Sequence, residues 1–314
     1  MPNTFSRVAG TGRYLPSRIL SNSEIAARLD TSDEWIRAMT GITQRHICDA
    51  GETTTDMAAA ASQRALHNAG MSAADLELII VATITPDLIF PSSGALLQAR
   101  LGAGHVGAFD ISAACSGFIY GLAIADGMIA STRCKNALVV GSERMSQLVD
   151  WNERSTCVLF GDGAAAVVLV ADSQPGIRSV RLHADGSTPH VLRAPSAHSQ
   201  FLHMDGSAVF KFAVRGLVEA GLEAMTVNEM PSSRIDWLVP HQANLRIIEA
   251  AARKLGISKE RIIVTVDHHA NTSAASIPLA LDVAVQDSRI RHGDEVLLLS
   301  VGGGYTWASS LIRW

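Results

Sequence analysis

The chain has few aromatic and few charged residues, and it lacks long apolar runs. Of its 314 residues 5% are aromatic and 18% are charged, whereas 47% are hydrophobic. This length and composition are typical of a globular protein of one or two domains with a large core. A membrane-spanning helix needs about 18 uninterrupted apolar residues, and Asp87 and Asp126 interrupt the two longest candidates. Because the first ten residues also lack the apolar core of a signal peptide, we expect a cytoplasmic protein without a membrane partner.

An excess of positive charge is also missing. The chain has 26 Lys and Arg against 30 Asp and Glu, a formal net charge of −4. Proteins that bind nucleic acids usually carry a basic excess or a basic stripe. We therefore expect no nucleic-acid partner, although a local basic patch remains open.

Cysteines are few, and their spacing shows no CxxC pair. Four of them in a chain of this length do not form a disulfide framework typical of secreted proteins. The adjacent His268 and His269 are poorly spaced for a shared metal ion, and no Cys or carboxylate motif accompanies them. We expect neither a metal nor a cofactor.

Two similar halves follow one another along the chain. Each contains a buried strand, a turn, a helix of small residues, a second strand, a glycine turn and a third strand, which predicts an internally duplicated α/β protein. We divide the chain into residues 1–172 and 173–314, and we expect a loop or an insertion of short edge strands at 173–208. The segments that carry the repeat are 75–87, the cysteine segment 111–130, 136–143 and 161–172 in the first half, and 234–244, 262–287 and 294–304 in the second, followed by "TWASSLIRW".

One cysteine lies at a predicted turn between a strand and a helix, in "ISAACSGFIYGLAIADGMIA" (111–130). The N-terminus of a helix has unpaired backbone N–H groups and a positive dipole end, and both favour the nucleophilic thiolate form of cysteine. Cys115 is therefore a candidate nucleophile, and the alternative is a small buried core thiol. The other three cysteines, Cys48, Cys134 and Cys157, lack this setting, and we expect them to be structural.

The second half supplies polar residues at matching points of the repeat. His241 follows a buried strand directly, and Asn271 lies where the first half has its cysteine turn. A nucleophilic thiol needs groups that handle protons and hold an oxyanion. Residues of these types after strands are also common as turn or capping residues, so that alternative stays open.

Eight motifs in order resemble the β-ketoacyl-acyl carrier protein synthase III family of the thiolase-like superfamily, over nearly the whole chain. The resemblance implies a five-layered αβαβα fold of two duplicated halves, a homodimer and a Cys-His-Asn site. The motifs are "TSDEWI" (31–36), "TGI" (40–42), "AACSGF" (113–118), "VVGSE" (139–143), "FGDGA" (160–164), "HQANLRII" (241–248), "NTSAAS" (271–276) and "GGGYTW" (302–307).

By this resemblance, Cys115 accepts the acyl group of an acyl-CoA, and the backbone N–H groups of Cys115 and Gly303 form an oxyanion hole. Malonyl-acyl carrier protein then enters and loses CO₂. Neutral His241 and Asn271 donate hydrogen bonds to the resulting enolate, which attacks the acyl group. The product is a 3-ketoacyl-acyl carrier protein, the first condensation product of fatty acid synthesis.

The resemblance also implies binding residues. Trp35 and Arg154 match positions that sandwich the adenine of CoA, Asn244 and Ser207 match positions beside its pantetheine arm, and Phe90 matches a residue that crosses a dimer interface to close the acyl pocket. The alternatives are a core Trp and a surface charge. A basic patch for the acidic carrier protein is implied at Lys211, Arg246, Arg253 and Lys254.

Four positions depart from the family pattern. Met39 stands where many members have a CoA-contacting Arg, and Ser207 replaces an Asn, whereas Ala270 replaces a Gly and Val301 a Phe. Three functions therefore stay open: initiation of fatty acid synthesis with acetyl-CoA, a related condensation in secondary metabolism or with a longer primer, and acyl-CoA hydrolysis or non-catalytic acyl binding.

Overall fold

The computed structural model describes residues 4–194 and 200–314. Its strands are β1 (Phe5–Tyr14), β2 (Arg18–Ser21), β3 (Gln44–Ile47), β4 (Leu78–Ala82), β5 (Gly107–Ile111), β6 (Asn136–Arg144), β7 (Asp162–Asp172), β8 (Ile177–Ala184), β9 (Leu192–Arg193), β10 (His203–Met204), β11 (Trp237–Pro240), β12 (Glu295–Gly302) and β13 (Thr306–Arg313). Its helices are α1 (Asn22–Ala26), α2 (Asp33–Thr40), α3 (Thr54–Ala69), α4 (Ser93–Leu101), α5 (Gly117–Ala130), α6 (Arg154–Cys157), α7 (Gly206–Val227), α8 (Leu245–Leu255), α9 (Val266–His269) and α10 (Ser276–Gln286).

The strands form two large mixed sheets. The first has the order β1-β7-β6-β4-β5, with β4 parallel to both β5 and β6, and the second has the order β11-β12-β13-β8, with β11 parallel to β12. All of β4 and β12 is buried, as expected for apolar strands covered on both faces. The first sheet takes its strands from the chain up to Asp172 and the second from Ile177 onward.

Helices lie on both faces of each sheet and between the two. α3 and α4 cover the outer face of the first sheet, and α7 and α8 cover that of the second. α5 and α10 pack between the sheets, where apolar side chains of both halves form one core cluster. The predicted five-layered αβαβα fold is therefore confirmed.

Helix α5 of the central layer packs closely against the first sheet because it carries small residues at the contact. A Cβ atom at Gly121 would lie 2.8 Å from Val139 Cγ1, so a larger residue would push the helix away from β6.

Among the described residues, no helix is long and apolar enough to cross a membrane.

The segment 262–287 begins with a single bridge and contains no strand. Ile262 forms only an isolated parallel bridge with Leu238, and the chain then turns into α9. The buried Gln242 side chain explains this course of the chain, because its Oε1 accepts hydrogen bonds from the backbone N–H groups of Thr265 and Val266. A side chain thus satisfies donors that a strand neighbour would otherwise bind.

The segment predicted as a loop or short edge strands, 173–208, contains a longer edge strand. β8 pairs with β13 over most of its eight residues, while β9 and β10 form a two-residue ribbon. Residues 195–199 of this segment lie outside the described residues.

Candidate active site

Cys115 lies in a 3₁₀ turn, Ala114–Ser116, that leads directly into α5. Ala114 has the unusual backbone angle φ 47°. β12 passes so close to this turn that a Cβ atom at Gly302 would lie 2.8 Å from the backbone nitrogen of Cys115. A glycine is therefore required where the second sheet supports the cysteine turn.

The second half has a matching turn. Ser273 has φ 49° and opens the 3₁₀ turn Ser273–Ala275, which leads into the other central helix, α10. Asn271 lies two residues before Ser273, as Ser112 lies two residues before Ala114. Its backbone is held against Phe160 by a parallel bridge, with its N–H donating to Leu159 O at 2.9 Å.

His241 follows β11 directly and is 2% exposed. Its backbone N–H donates to Leu299 O at 2.7 Å, which extends the pairing of β11 with β12 past the end of the strand. Burial lowers the pKa of His241 to about 3, so the ring is neutral at physiological pH.

Hydrogen bonds orient the His241 ring. Its Nδ1 lies 2.6 Å from Ser276 Oγ, and that oxygen also accepts from the backbone N–H of Gln242 at 3.3 Å. The serine proton then has the imidazole nitrogen as its acceptor, which leaves the ring proton on Nε2. This assignment follows from matching buried donors with acceptors.

The side chain of Asn271 is fixed in a similar way. Its Oδ1 accepts from the backbone N–H of Ser273 at 2.9 Å. With this acceptor bound to the protein, the amide NH₂ group remains for a ligand. His241 and Asn271 thus both have their acceptor atoms engaged and an N–H donor left over.

Cys115, His241, Asn271 and Gly303 all line one cavity of about 810 Å³. Its other walls are mainly apolar, a setting in which a few oriented donors interact strongly with a developing negative charge. The apolar lining includes Ile84, Met145, Leu159, Phe160, Leu192, Leu202, Met204 and Val301.

The cavity favours the thiol form of Cys115, against the expectation of a resting thiolate. Burial raises the pKa of Cys115 to about 12, a hydrogen bond with Ser273 lowers it, and the negative charge of Glu143 raises it. Loss of solvation therefore outweighs the favourable position before α5. Attack by this sulfur requires removal of its proton.

Trp35 and Arg154 contact each other at the surface. The guanidinium carbon of Arg154 lies 4.8 Å from the centroid of the Trp35 ring, and its Nη1 donates to Asp30 O. Neither Trp35 nor Arg154 is among the residues that line the cavity of Cys115. An adenine between them would need about 7 Å, two contact distances of about 3.5 Å, so Arg154 would have to move by about 2 Å.

Asn244 and Ser207 lie at the cavity wall. Asn244 caps the N-terminus of α8, where its Oδ1 accepts from the backbone N–H of Arg246, and its Nδ2 donates to Met39 O at 3.0 Å. Ser207 lies in the first turn of α7, where its backbone N–H donates to Asp205. Both side chains belong to helix N-termini that open towards the cavity.

The remaining predicted binding residues are exposed. Lys211 and Arg246 line the cavity, and Arg246 lies over the Phe210 ring at 5.7 Å. Arg253 and Lys254 lie in the last turn of α8, which places them on the same helix as Arg246 but away from the cavity. Phe90 is 84% exposed and does not line the cavity of its own chain.

Glu143, Ser273 and Ser276 lie in the sequence motifs named above, which predict no role for them. All three are fully buried polar residues next to the cavity turns. Their signal in the sequence is a charged or hydroxyl residue that ends or interrupts an apolar run.

No group of three or more His, Cys, Asp or Glu in residues 4–194 and 200–314 could hold a metal ion.

A cysteine that shares one cavity with two oriented N–H donors, in a duplicated five-layered fold, is typical of a condensing enzyme of the thiolase-like class. The family model for 3-oxoacyl-[acyl-carrier-protein (ACP)] synthase III matches residues 109–186, and the model for the C-terminal part of that family matches residues 225–314. The chain is 52% identical to a β-ketoacyl-[acyl-carrier-protein] synthase III of Xylella fastidiosa (strain Temecula1), over 99% of this chain and 98% of that protein.

Solved structures agree with this match. The 3-oxoacyl-[acyl-carrier-protein] synthase III of Aquifex aeolicus VF5 is 46% identical with a TM-score of 0.95, over 98% of this chain and all of that one. The priming β-ketosynthase from the R1128 polyketide biosynthetic pathway is 38% identical with a TM-score of 0.94, over 99% of this chain and 96% of that one. The chain belongs to the β-ketoacyl-acyl carrier protein synthase III family of acyltransferases.

Proposed function

We propose that the protein condenses an acyl-CoA primer, acetyl-CoA in the simplest case, with malonyl-acyl carrier protein, through an acyl-Cys115 intermediate. The observation that carries this proposal is the convergence of Cys115, His241 and Asn271 on one cavity. The products are a 3-ketoacyl-acyl carrier protein, CoA and CO₂, and the reaction initiates fatty acid synthesis.

In the first half-reaction the Cys115 sulfur attacks the carbonyl carbon of the thioester, and CoA leaves. The carbonyl oxygen gains negative charge in the tetrahedral intermediate. The backbone N–H groups of Cys115 and Gly303 stabilise this charge, and the glycine allows the close approach of backbone to substrate.

In the second half-reaction the malonyl thioester loses CO₂ and its carbonyl oxygen becomes an enolate oxygen. Nε2–H of His241 and the amide of Asn271 donate hydrogen bonds to it. These donors do not reorganise during the reaction, because Ser276 and Ser273 already hold the two side chains. The enolate carbon then attacks the acyl carbon, and Cys115 leaves as a thiolate that takes up one proton from solvent.

The pantetheine arm of each substrate enters the cavity beside the N-termini of α7 and α8. Ser207 and Asn244 line this approach, and the Trp35–Arg154 pair outside it receives the adenine once Arg154 moves aside. Basic residues beside the mouth steer the acidic carrier protein to it. They are Lys211, Arg246, Arg253 and Lys254.

We also propose a homodimer. β5 is the edge strand of the first sheet, and its residues are half-buried or exposed. In the loop between β4 and α4, Leu88, Ile89 and Phe90 are 50%, 97% and 84% exposed, and this loop ends against β5, where the backbone N–H groups of Ser93 and Gly94 donate to Asp110. An unpaired strand edge next to three exposed apolar side chains supports pairing with a second copy, whose cavity would receive Phe90.

Condensation in a polyketide pathway is the second candidate, because a priming β-ketosynthase is 38% identical to this chain. The two functions use the same chemistry and differ in primer and in carrier protein.

The test is a reconstituted reaction with acetyl-CoA and malonyl-acyl carrier protein, compared with longer acyl-CoA primers. We expect CO₂ and a 3-ketoacyl-acyl carrier protein, with Asn271→Ala losing condensation while its cysteine still becomes acylated. Asn68→Ala is the matched control, because its side chain donates to Thr11 O outside the cavity. Acyl-CoA hydrolysis without condensation would contradict the proposal.

A further inference from the structure

The mechanism leaves the proton of Cys115 without an acceptor. Burial raises the pKa of this thiol to about 12, so it reaches the thioester protonated. His241 is unsuited to take the proton, since its Nδ1 accepts from Ser276 and its Nε2 already carries a hydrogen. The acceptor must be another group connected to the sulfur.

Ser273 links the cavity to a buried carboxylate. It lines the cavity together with Cys115, its turn packs against the cysteine turn, and its Oγ donates to Glu143 Oε1 at 2.9 Å. Glu143 ends the buried part of β6 and is 0% exposed. Ser273 thus contacts Glu143 Oε1 from a turn that packs against the cysteine turn.

The two carboxylate oxygens of Glu143 have different surroundings. Oε2 accepts from Thr85 Oγ1 at 2.7 Å, from the backbone N–H of Ile84 at 3.1 Å and from Thr83 Oγ1 at 3.2 Å. Oε1 accepts from Ser273 and, at a long 3.5 Å, from the backbone N–H of Ala274. The oxygen facing Ser273 is therefore the one with room for a proton.

We propose that Ser273 and Glu143 form a proton relay for Cys115, an assignment that rests on the function proposed above. As Sγ bonds to the thioester carbon, its proton passes to Ser273 Oγ while the Ser273 proton passes to Glu143 Oε1. When the carbon–sulfur bond to CoA breaks, the CoA sulfur leaves with the electron pair and takes the proton back through Ser273. No proton is gained or lost over the half-reaction.

The carboxylate is suited to this exchange near neutral pH. Burial raises the pKa of Glu143 to about 7, whereas its hydrogen bonds with Thr85, Ile84, Ser273 and Ala274 lower it. Within the described residues, the hydrogen-bond donors to the Glu143 carboxylate are all uncharged hydroxyl or backbone N–H groups. The charge of Glu143 in turn raises the pKa of Cys115.

The test measures single-turnover acylation of Cys115 by acetyl-CoA as a function of pH. In the wild type we expect the rate to fall below pH about 7, because protonated Glu143 accepts no proton. We expect Glu143→Gln to lower the rate about 100-fold, within the usual range for general acid–base catalysis, and to abolish the fall near pH 7. His241, with a pKa of about 3, does not titrate there.

Two further variants separate the relay from a structural role. Asp162→Asn is the matched control, since Asp162 is also a fully buried carboxylate but accepts from Cys48 N and Ser146 N rather than from Ser273. We expect it to lose stability but keep the acylation rate and pH profile. Ser273→Ala interrupts the relay while retaining Glu143, and we expect the same slow acylation if Glu143→Gln fails to fold.

Faster or unchanged acylation in Glu143→Gln or in Ser273→Ala would overturn the relay, because Glu143 would then act on the thiol through its charge alone. A wild-type enzyme that never acylates Cys115 would instead contradict the proposed function.

Discussion

Replacing Ser276 by alanine tests whether the orientation of His241 determines the condensation step. The serine hydroxyl lies 2.6 Å from Nδ1 of the buried ring and accepts from Gln242 N–H. Ser276→Ala leaves both groups buried without a partner. Each such group costs about 1–3 kcal/mol of folding free energy.

The larger effect is expected on the rate. Complete loss of one oriented donor to an oxyanion typically lowers kcat by about 10²–10³. The alanine variant keeps the ring but no longer fixes its proton on Nε2, so we expect condensation to slow by about 10- to 100-fold. Acylation of Cys115 does not use the ring donor, and its rate should stay within about twofold of wild type.

Rapid-quench kinetics that separate the two half-reactions provide the assay, together with ¹⁵N NMR of the His241 ring, which reports its tautomer directly. Ser62→Ala is the control, because Ser62 is also fully buried but donates to Ala58 O within α3. An Nε2–H tautomer unchanged in Ser276→Ala, or equal slowing of acylation and condensation, would refute the reasoning.

Two further predictions concern the cavity and its surroundings. Gly302→Ala places a Cβ 2.8 Å from Cys115 N, so we expect slower acylation and a loss of about 1–3 kcal/mol in unfolding free energy. Gly127 in α5 has open space around it, so Gly127→Ala should leave the acylation rate unchanged. Equal acylation rates in the two variants would contradict this prediction. Charge reversal in Arg253→Glu/Lys254→Glu should raise KM for malonyl-acyl carrier protein several-fold at low salt without changing KM for acetyl-CoA, and a KM independent of the substitutions would remove these residues from the docking patch.

The sequence was sufficient to predict the duplicated fold and the location of its three central residues. Cys115 stands between a strand and a helix of small residues, and Asn271 precedes a similar helix, so local patterns located both turns. The course of the chain after Ile262 could not be read from local patterns, because the Gln242 side chain, distant in sequence, binds the backbone donors there.

The protonation state of Cys115 could not be predicted from the sequence, because it too depends on residues distant in the chain. The position before α5 favours a thiolate, but the pKa depends on burial and on the charge of Glu143, which comes from another strand. The Ser273–Glu143 bond joins residues 130 positions apart. Such buried polar networks depend on distances in the folded chain and leave no periodic signal in the sequence.

The most direct test of the account is the intact mass of the protein after mixing with acetyl-CoA and then with malonyl-acyl carrier protein. We predict a gain of one acetyl group that is absent in Cys115→Ser, present in Cys157→Ser, and lost as acetoacetyl-acyl carrier protein forms. A product that forms at the wild-type rate in Cys115→Ser, or the absence of an adduct with acetyl-CoA and with every longer acyl-CoA, would contradict the acyl-Cys115 mechanism.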